Sequence, residues 1–186
     1  VLLAADVEAG GAGRRLVVST ARYPARIVAL IQTSTSRLMT EAVVSRVSSG
    51  VTLPLGSLAL QDLAHKSLKR AERIVSDDLS GVAQLKAGLG RTFYAVGGTW
   101  RALARIHIVQ SGYPLRVMHG YELPAADALD FARRLRRLAA ANMLADIEVV
   151  ADARRPLLTY AALVLEYIIR VGRPKTIVFS TFGVRE

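Results

Sequence analysis

Residues 93–106 read FYAVGGTWRALARI: a strand-like apolar run, two adjacent glycines, a threonine, and then apolar residues at helical spacing. The run TFYAV, residues 92–96, predicts a strand, and the stretch from near Thr99 onward predicts a helix. Two glycines in succession let a backbone approach a ligand or another chain closely, and a helix start offers unpaired N–H groups to an anion. A tight turn from strand to helix also calls for glycine. At Gly97 and Gly98, then, a phosphate loop and a packing turn are both open readings. In either case the strand-turn-helix unit is the building block of an α/β layer fold.

Outward from this stretch the chain continues to alternate. LVV (16–18), IVALI (27–31) and VTLPL (51–55) are aliphatic runs bounded by turn residues, each predicting a strand. From Ser57 to about Val75, Leu58, Leu60, Leu63, Leu68, Ala71 and Val75 recur at near-helical spacing among basic residues, which predicts one amphipathic helix. DDLSGVAQLKAGLG then breaks and restarts before the strand at 92–96. Beyond the second helix, YPLRVMHGYEL (113–123) reads as extended, and Pro124 opens a helix over roughly 124–141 at its first turn, where a missing N–H costs least. Leu129, Ala132, Leu135, Leu138 and Ala139 share one face of that helix, and Arg133, Arg134, Arg136 and Arg137 read as its solvated face. A last helix, Leu157 to about Val171, leads through GRPK into TIVFSTFG, a buried strand with a turn at Gly183. This alternation predicts a mixed sheet with flanking helices, at least part of it parallel.

Composition bounds the chemistry. The 186 residues are 52% hydrophobic and 22% charged, which suits one compact domain with a sizeable core. There is no cysteine, so disulfides, thiolate metal sites and thiol nucleophiles are excluded. The apolar run LLTYAALVLEYII (157–169) contains Glu166 and falls short of the roughly 20 residues that span a bilayer. The opening VLLAADVEAGG lacks the basic start of a secretory signal, and a cytoplasmic protein with no membrane partner is expected. The net charge is +10, and lysine occurs only at Lys66, Lys69, Lys86 and Lys175, so arginine carries most of the positive charge. Arginine's planar fork suits phosphate oxygens, which makes a polyanion or nucleic acid a candidate partner. His65, His107 and His119 have no metal-ligand spacing to one another, and His119 reads as a structural histidine rather than a general base. Asp77 and Asp78, neighbours about 100° apart on a helix, do not form a carboxylate pair and read as a helix end or turn.

Four segments, taken in order and spacing, carry a family resemblance: GVTLPLGSLAL (50–60), FYAVGGTWRALARIHIVQSGYPLRVMHGYEL (93–123), ARRPLLTYAALVLEYII (153–169) and IVFSTFGVRE (177–186). Together they resemble the C-terminal lobe of the exopolyphosphatase and guanosine pentaphosphate phosphatase family, Ppx/GppA. The resemblance implies an α/β, actin-like (ribonuclease-H-like) lobe over residues 48–186. It implies phosphates of polyphosphate or a guanosine polyphosphate held in a cleft between two lobes, usually with Mg2+, while water attacks the terminal phosphorus and orthophosphate leaves. On this likeness Gly97, Gly98 and Thr99 form a cleft loop whose N–H groups and hydroxyl meet phosphate. Ser180, Gly183 and Arg185 match the terminal strand-loop motif lining the same cleft, where the Arg185 guanidinium could hold phosphate oxygens bidentately. Leu53, Pro54, Leu55 and Gly56 match an architectural turn.

The departures are as informative. A family phosphate loop of the type DLGGGS is expected shortly before LPLG, but this chain reads ALIQTSTSRLMTEAVVSRVSSG there (29–50), with neither aspartate nor glycine triplet. TSTS (33–36) could supply hydroxyls but not a metal-binding carboxylate, and the glycine-rich EAGGAG (8–13) lies too far upstream to align. Residues 1–47 therefore do not carry the resemblance. The family's catalytic glutamate precedes the matched region, so no catalytic residue and no metal ligand is identified, and an N-terminal lobe outside this chain is an expected partner. Two functional classes stay open: a phosphatase lobe, and a catalytically silent module that binds phosphate-rich ligands or nucleic acid or serves dimerisation, a homodimer being one admissible assembly.

Overall fold

The computed structural model describes residues 2–7, 16–19, 47–115, 117–140 and 155–181. The predicted strand at 27–31, the TSTS and EAGGAG segments, Gly183 and Arg185 lie outside the described residues. Among the described residues six strands form one mixed sheet: β1 (Leu2–Val7), β2 (Leu16–Ser19), β3 (Val47–Thr52), β4 (Thr92–Val96), β5 (Tyr121–Pro124) and β6 (Thr176–Ser180), in the order β3-β1-β2-β4-β6-β5. β1 pairs antiparallel with both β2 and β3, β5 pairs antiparallel with β6, and the central β2-β4-β6 trio is parallel. Among the described residues six helices join them: α1 (Ser57–Leu63), α2 (Leu68–Ser80), α3 (Ala83–Ala87), α4 (Gly98–Gln110), α5 (Ala125–Ala140) and α6 (Arg155–Gly172). The α/β mixed sheet with flanking helices read from the alternation is the architecture found.

Strands β4 and β6 are apolar as buried parallel strands are. From Ile177 to Ser180 every residue of β6 is buried. Phe93 stands opposite Ile177 and Ala95 opposite Phe179, so these four side chains share the face that enters the main core. Against that core lies α6, buried from Leu158 to Glu166 and packed against each of the other five helices. A helix that is apolar nearly all round is a core helix, and among the described residues no helix is long and apolar enough to cross a membrane. At its C-terminal end Gly172 lets the helix approach α3: a Cβ there would stand 3.3 Å from the Leu85 carbonyl oxygen.

Four local expectations need correction. The single helix expected over 57–75 is two, because His65 and Lys66 take positive φ values of 48° and 60° and Ser67 starts α2 afresh, its hydroxyl accepting from the Arg70 N–H at 3.4 Å. The apolar spacing runs through this break, and Leu63, one of the apolar positions of the single helix expected, is exposed while Ala64 is buried. The strand expected at 51–55 ends at Thr52, just before the Leu53–Pro54 turn. Of the described residues in 113–123 only Tyr121–Leu123 are strand, and Pro124 belongs to β5 rather than to α5: it ends the edge strand opposite Thr176, where a missing donor is tolerated. Finally, β1 forms from Leu2–Val7, an opening segment for which the sequence predicts no strand.

Candidate functional site

The side-by-side exits of β4 and β6 build the site. Their register sets Val96 beside Ser180, so Gly97 and Thr181 leave two parallel neighbours at the same level. In open α/β sheets the space outside the carboxyl ends of parallel strands is where ligands bind. Gly97 sits at φ 130° and ψ 166°, a conformation essentially reserved for glycine. Its carbonyl accepts the first helical bond of α4, from the Arg101 N–H at 3.1 Å. No side chain caps α4, so its first-turn N–H groups have the orientation and partial positive charge that attract an anion. Gly98 is different from Gly97: its backbone is ordinary, and a Cβ added there would meet nothing within 4 Å. Nothing in the described protein needs Gly98 to be glycine for packing.

Two further elements reach this crest. Ser57, buried at the first position of α1 directly after the LPLG turn, places its hydroxyl 3.3 Å from the Thr99 hydroxyl. Thr181, the residue after β6, is held on both sides: Arg101 Nη1 donates to its carbonyl at 3.3 Å, and its own N–H donates to His119 Nδ1 at 3.4 Å. Of the residues expected at the site, Gly97, Gly98, Thr99 and the buried Ser180 come together here. Sequence reasoning missed Ser57, Arg101 and Thr181, and read His119 as a structural histidine without the Thr181 N–H that its Nδ1 accepts. Ser57 and Arg101 did carry a signal, since each lies one or a few residues from a glycine turn already singled out.

The crest residues carry hydroxyls and backbone groups. Those groups suit an anion better than a cation, and among the described residues no cluster of three or more histidine, aspartate or glutamate side chains could hold a metal ion. The described residues thus do not fit the Mg2+ that the family resemblance implies.

Ionisable groups concentrate elsewhere. Glu166, buried in α6, accepts from Arg136 Nη1 at 2.5 Å and pairs with Arg170 Nη2 at 2.7 Å and Arg133 Nε at 3.5 Å. Arg136 also reaches Glu72 on α2. Burial opposes the Arg136 charge, but its hydrogen bonds to Glu166 and Glu72 outweigh that and hold its pKa above the ordinary arginine value. The arginine run of α5 is therefore not simply a solvated face. Arg134 and Arg137 are exposed, whereas Arg133 and Arg136 turn toward α6. The reason lies in partners distant in sequence: a lone Glu in an apolar run and another 64 positions before Arg136. Asp77 and Asp78 fall in the last turn of α2, as a helix-end reading requires.

At 18% identity the chain superposes on the crystal structure of the Aquifex aeolicus member of the Ppx/GppA protein family with a TM-score of 0.59, over 76% of this chain and 47% of that one. A type II variant of the Aquifex aeolicus Ppx/GppA phosphatase matches at 16% identity and a TM-score of 0.53, over 76% and 48%. An exopolyphosphatase-like protein matches at 17% and 0.55, over 78% and 49%. No protein-family model matches the sequence, nor does any curated protein. At these identities the likeness establishes the fold, which is the actin-like one expected from the sequence. The chain spans about half the length of each of these structures.

Proposed function

We propose that this chain is the C-terminal lobe of a Ppx/GppA-type phosphatase, hydrolysing phosphoanhydride bonds of polyphosphate or of guanosine penta- or tetraphosphate in the cytoplasm. The observation that supports the reading is the pairing of this fold with an uncapped α4 start, at which Gly97 alone carries the glycine-only turn and Gly98 leaves open space. Phosphoryl transfer depends mainly on positioning and electrostatic stabilisation. The α4 N–H groups and the Thr99 hydroxyl would hold phosphate oxygens, with Ser180 beside them. Gly183 and Arg185 would complete the cleft from the segment that follows β6, the guanidinium binding two oxygens at once. Water attack on the terminal phosphorus needs a base that these residues do not include, and the N-terminal lobe is its proposed source. Mg2+, if bound, would neutralise phosphate charge.

The net charge of +10 favours a second reading, a silent module that binds phosphate-rich ligands or nucleic acid. One assay separates the two. The purified 186-residue chain is expected to bind tripolyphosphate yet release little orthophosphate from long-chain polyphosphate with Mg2+ present. Adding the N-terminal lobe of a Ppx/GppA phosphatase should restore release if the first reading holds. Binding that never becomes turnover favours the silent module, and strong release by the chain alone would require a base within it.

A further inference from the structure

We infer that Arg101 and His119 are positioning residues that clamp the Thr181 peptide from opposite sides and thereby set the spacing between the α4 loop and the chain leaving β6. The inference rests on the phosphate-crest reading for its purpose, but its geometry stands apart from it. Three backbone groups at the β6 exit are captured by partners outside the regular ladder. The Phe179 carbonyl accepts from Gly120 N–H at 2.9 Å, the Thr181 N–H donates to His119 Nδ1 at 3.4 Å, and the Thr181 carbonyl accepts from Arg101 Nη1 at 3.3 Å. A strand end needs no such hold to keep its register, which the β4 and β5 pairings already fix.

The two captors come from segments that define the crest. Arg101 stands in the first turn of α4, and its own N–H is bonded to Gly97, so its side chain ties the glycine loop directly to the neighbouring strand exit. His119 precedes Gly120, whose φ of +74° turns the chain so that histidine and glycine both face β6. Because the imidazole accepts at Nδ1, its remaining ring proton sits on Nε2. An aliphatic group at 101, or a group without an acceptor at 119, would not reproduce the hold. Loops that bind anions through backbone groups depend on such rigid placement, since a displaced N–H cannot adjust as a flexible side chain can.

The test reads each variant where it makes no contact itself. Arg101→Met removes the hydrogen bond to the Thr181 carbonyl and leaves His119 in place, yet it is expected to speed amide exchange at the Thr181 N–H about fivefold, the effect of losing one net hydrogen bond. Unchanged exchange overturns the clamp. His119→Leu is expected to weaken tripolyphosphate binding about fivefold, while His119→Asn, whose amide oxygen lies near the position of Nδ1, restores it. Binding that is unaffected by His119→Leu, or not rescued by asparagine, also overturns the clamp. Loss of binding in Arg101→Met with normal Thr181 exchange would make Arg101 a direct ligand and refute the positioning role. Failure of the parent chain to bind tripolyphosphate would instead defeat the phosphate reading, and the exchange arm, which needs no ligand, would still decide the clamp.

Discussion

Two neighbouring glycines occupy unlike positions, and substitution should separate them. Gly97 at φ 130° cannot take a Cβ without strain, so Gly97→Ala is expected to cost about 1–3 kcal/mol and lower Tm. Gly98 starts a helix in open space, where alanine is favoured over glycine by up to about 1 kcal/mol. Gly98→Ala is therefore expected to keep or raise Tm while weakening tripolyphosphate binding several-fold, because the new methyl group occupies the space an anion would enter. Calorimetric titration beside a thermal melt checks both. Unimpaired binding by a normally folded Gly98→Ala would remove the glycine pair from the phosphate site.

At the scale of elements, α4, β5 and α5 are joined by an aromatic cluster around His107. Its Nδ1 lies 2.7 Å from the Tyr121 hydroxyl, and its ring meets Phe131 edge-on with centroids 4.9 Å apart. Burial holds the His107 pKa below the ordinary histidine value, and nearby Arg134 adds to this against the opposing pull of Asp127. The unfolded chain consequently binds the proton first as pH falls. His107 should contribute its full stabilisation above about pH 6.5 and lose it as pH drops from there through the lowered value. Melts of the parent and His107→Gln between pH 7.5 and 5 are expected to show a stability gap that narrows toward acid. A gap that widened toward acid would mean that the folded protein prefers the charged imidazole.

For the molecule as a whole, α2, α5 and α6 are joined through Glu166 and its arginines. Removing one partner of a buried ion pair costs about 3–5 kcal/mol, and the half-exposed Arg133 and Arg170 reduce that here. Glu166→Gln is expected to lower stability by about 2–3 kcal/mol in urea unfolding. A loss below about 0.5 kcal/mol would show solvent satisfying the arginines unaided. The same cluster bears on partners, since three arginines held by carboxylates contribute less to an external field than the +10 charge suggests. Long-chain polyphosphate binding should still weaken steeply with salt, as counterion release requires of phosphate contacts. In competition at matched salt polyphosphate is expected to displace duplex DNA, and the reverse order would favour the binding module.

Much of this was legible in the amino acids because it depends on near neighbours. TFYAV reads as a strand, GGT as a turn into a helix and 157–171 as a helix, so the α/β class followed from local periodicity and backbone freedom, whereas at Gly97–Thr99 the residues left a phosphate loop and a packing turn both open and the cleft loop came from the family resemblance. The break at His65–Lys66 was not legible, since residues of ordinary helix propensity were forced to positive φ by the packing of α1 and α2 on either side. Nor was the fate of the α5 arginines, which depended on a carboxylate 30 positions beyond Arg136. The crest itself became a place only through the sheet: register put Ser180 beside Val96, and the chain's return set Ser57, Arg101 and His119 around them. Sequence specifies what each segment can be, but contacts between segments far apart along the chain are chosen by the collective burial of the core, and only the folded structure records that choice.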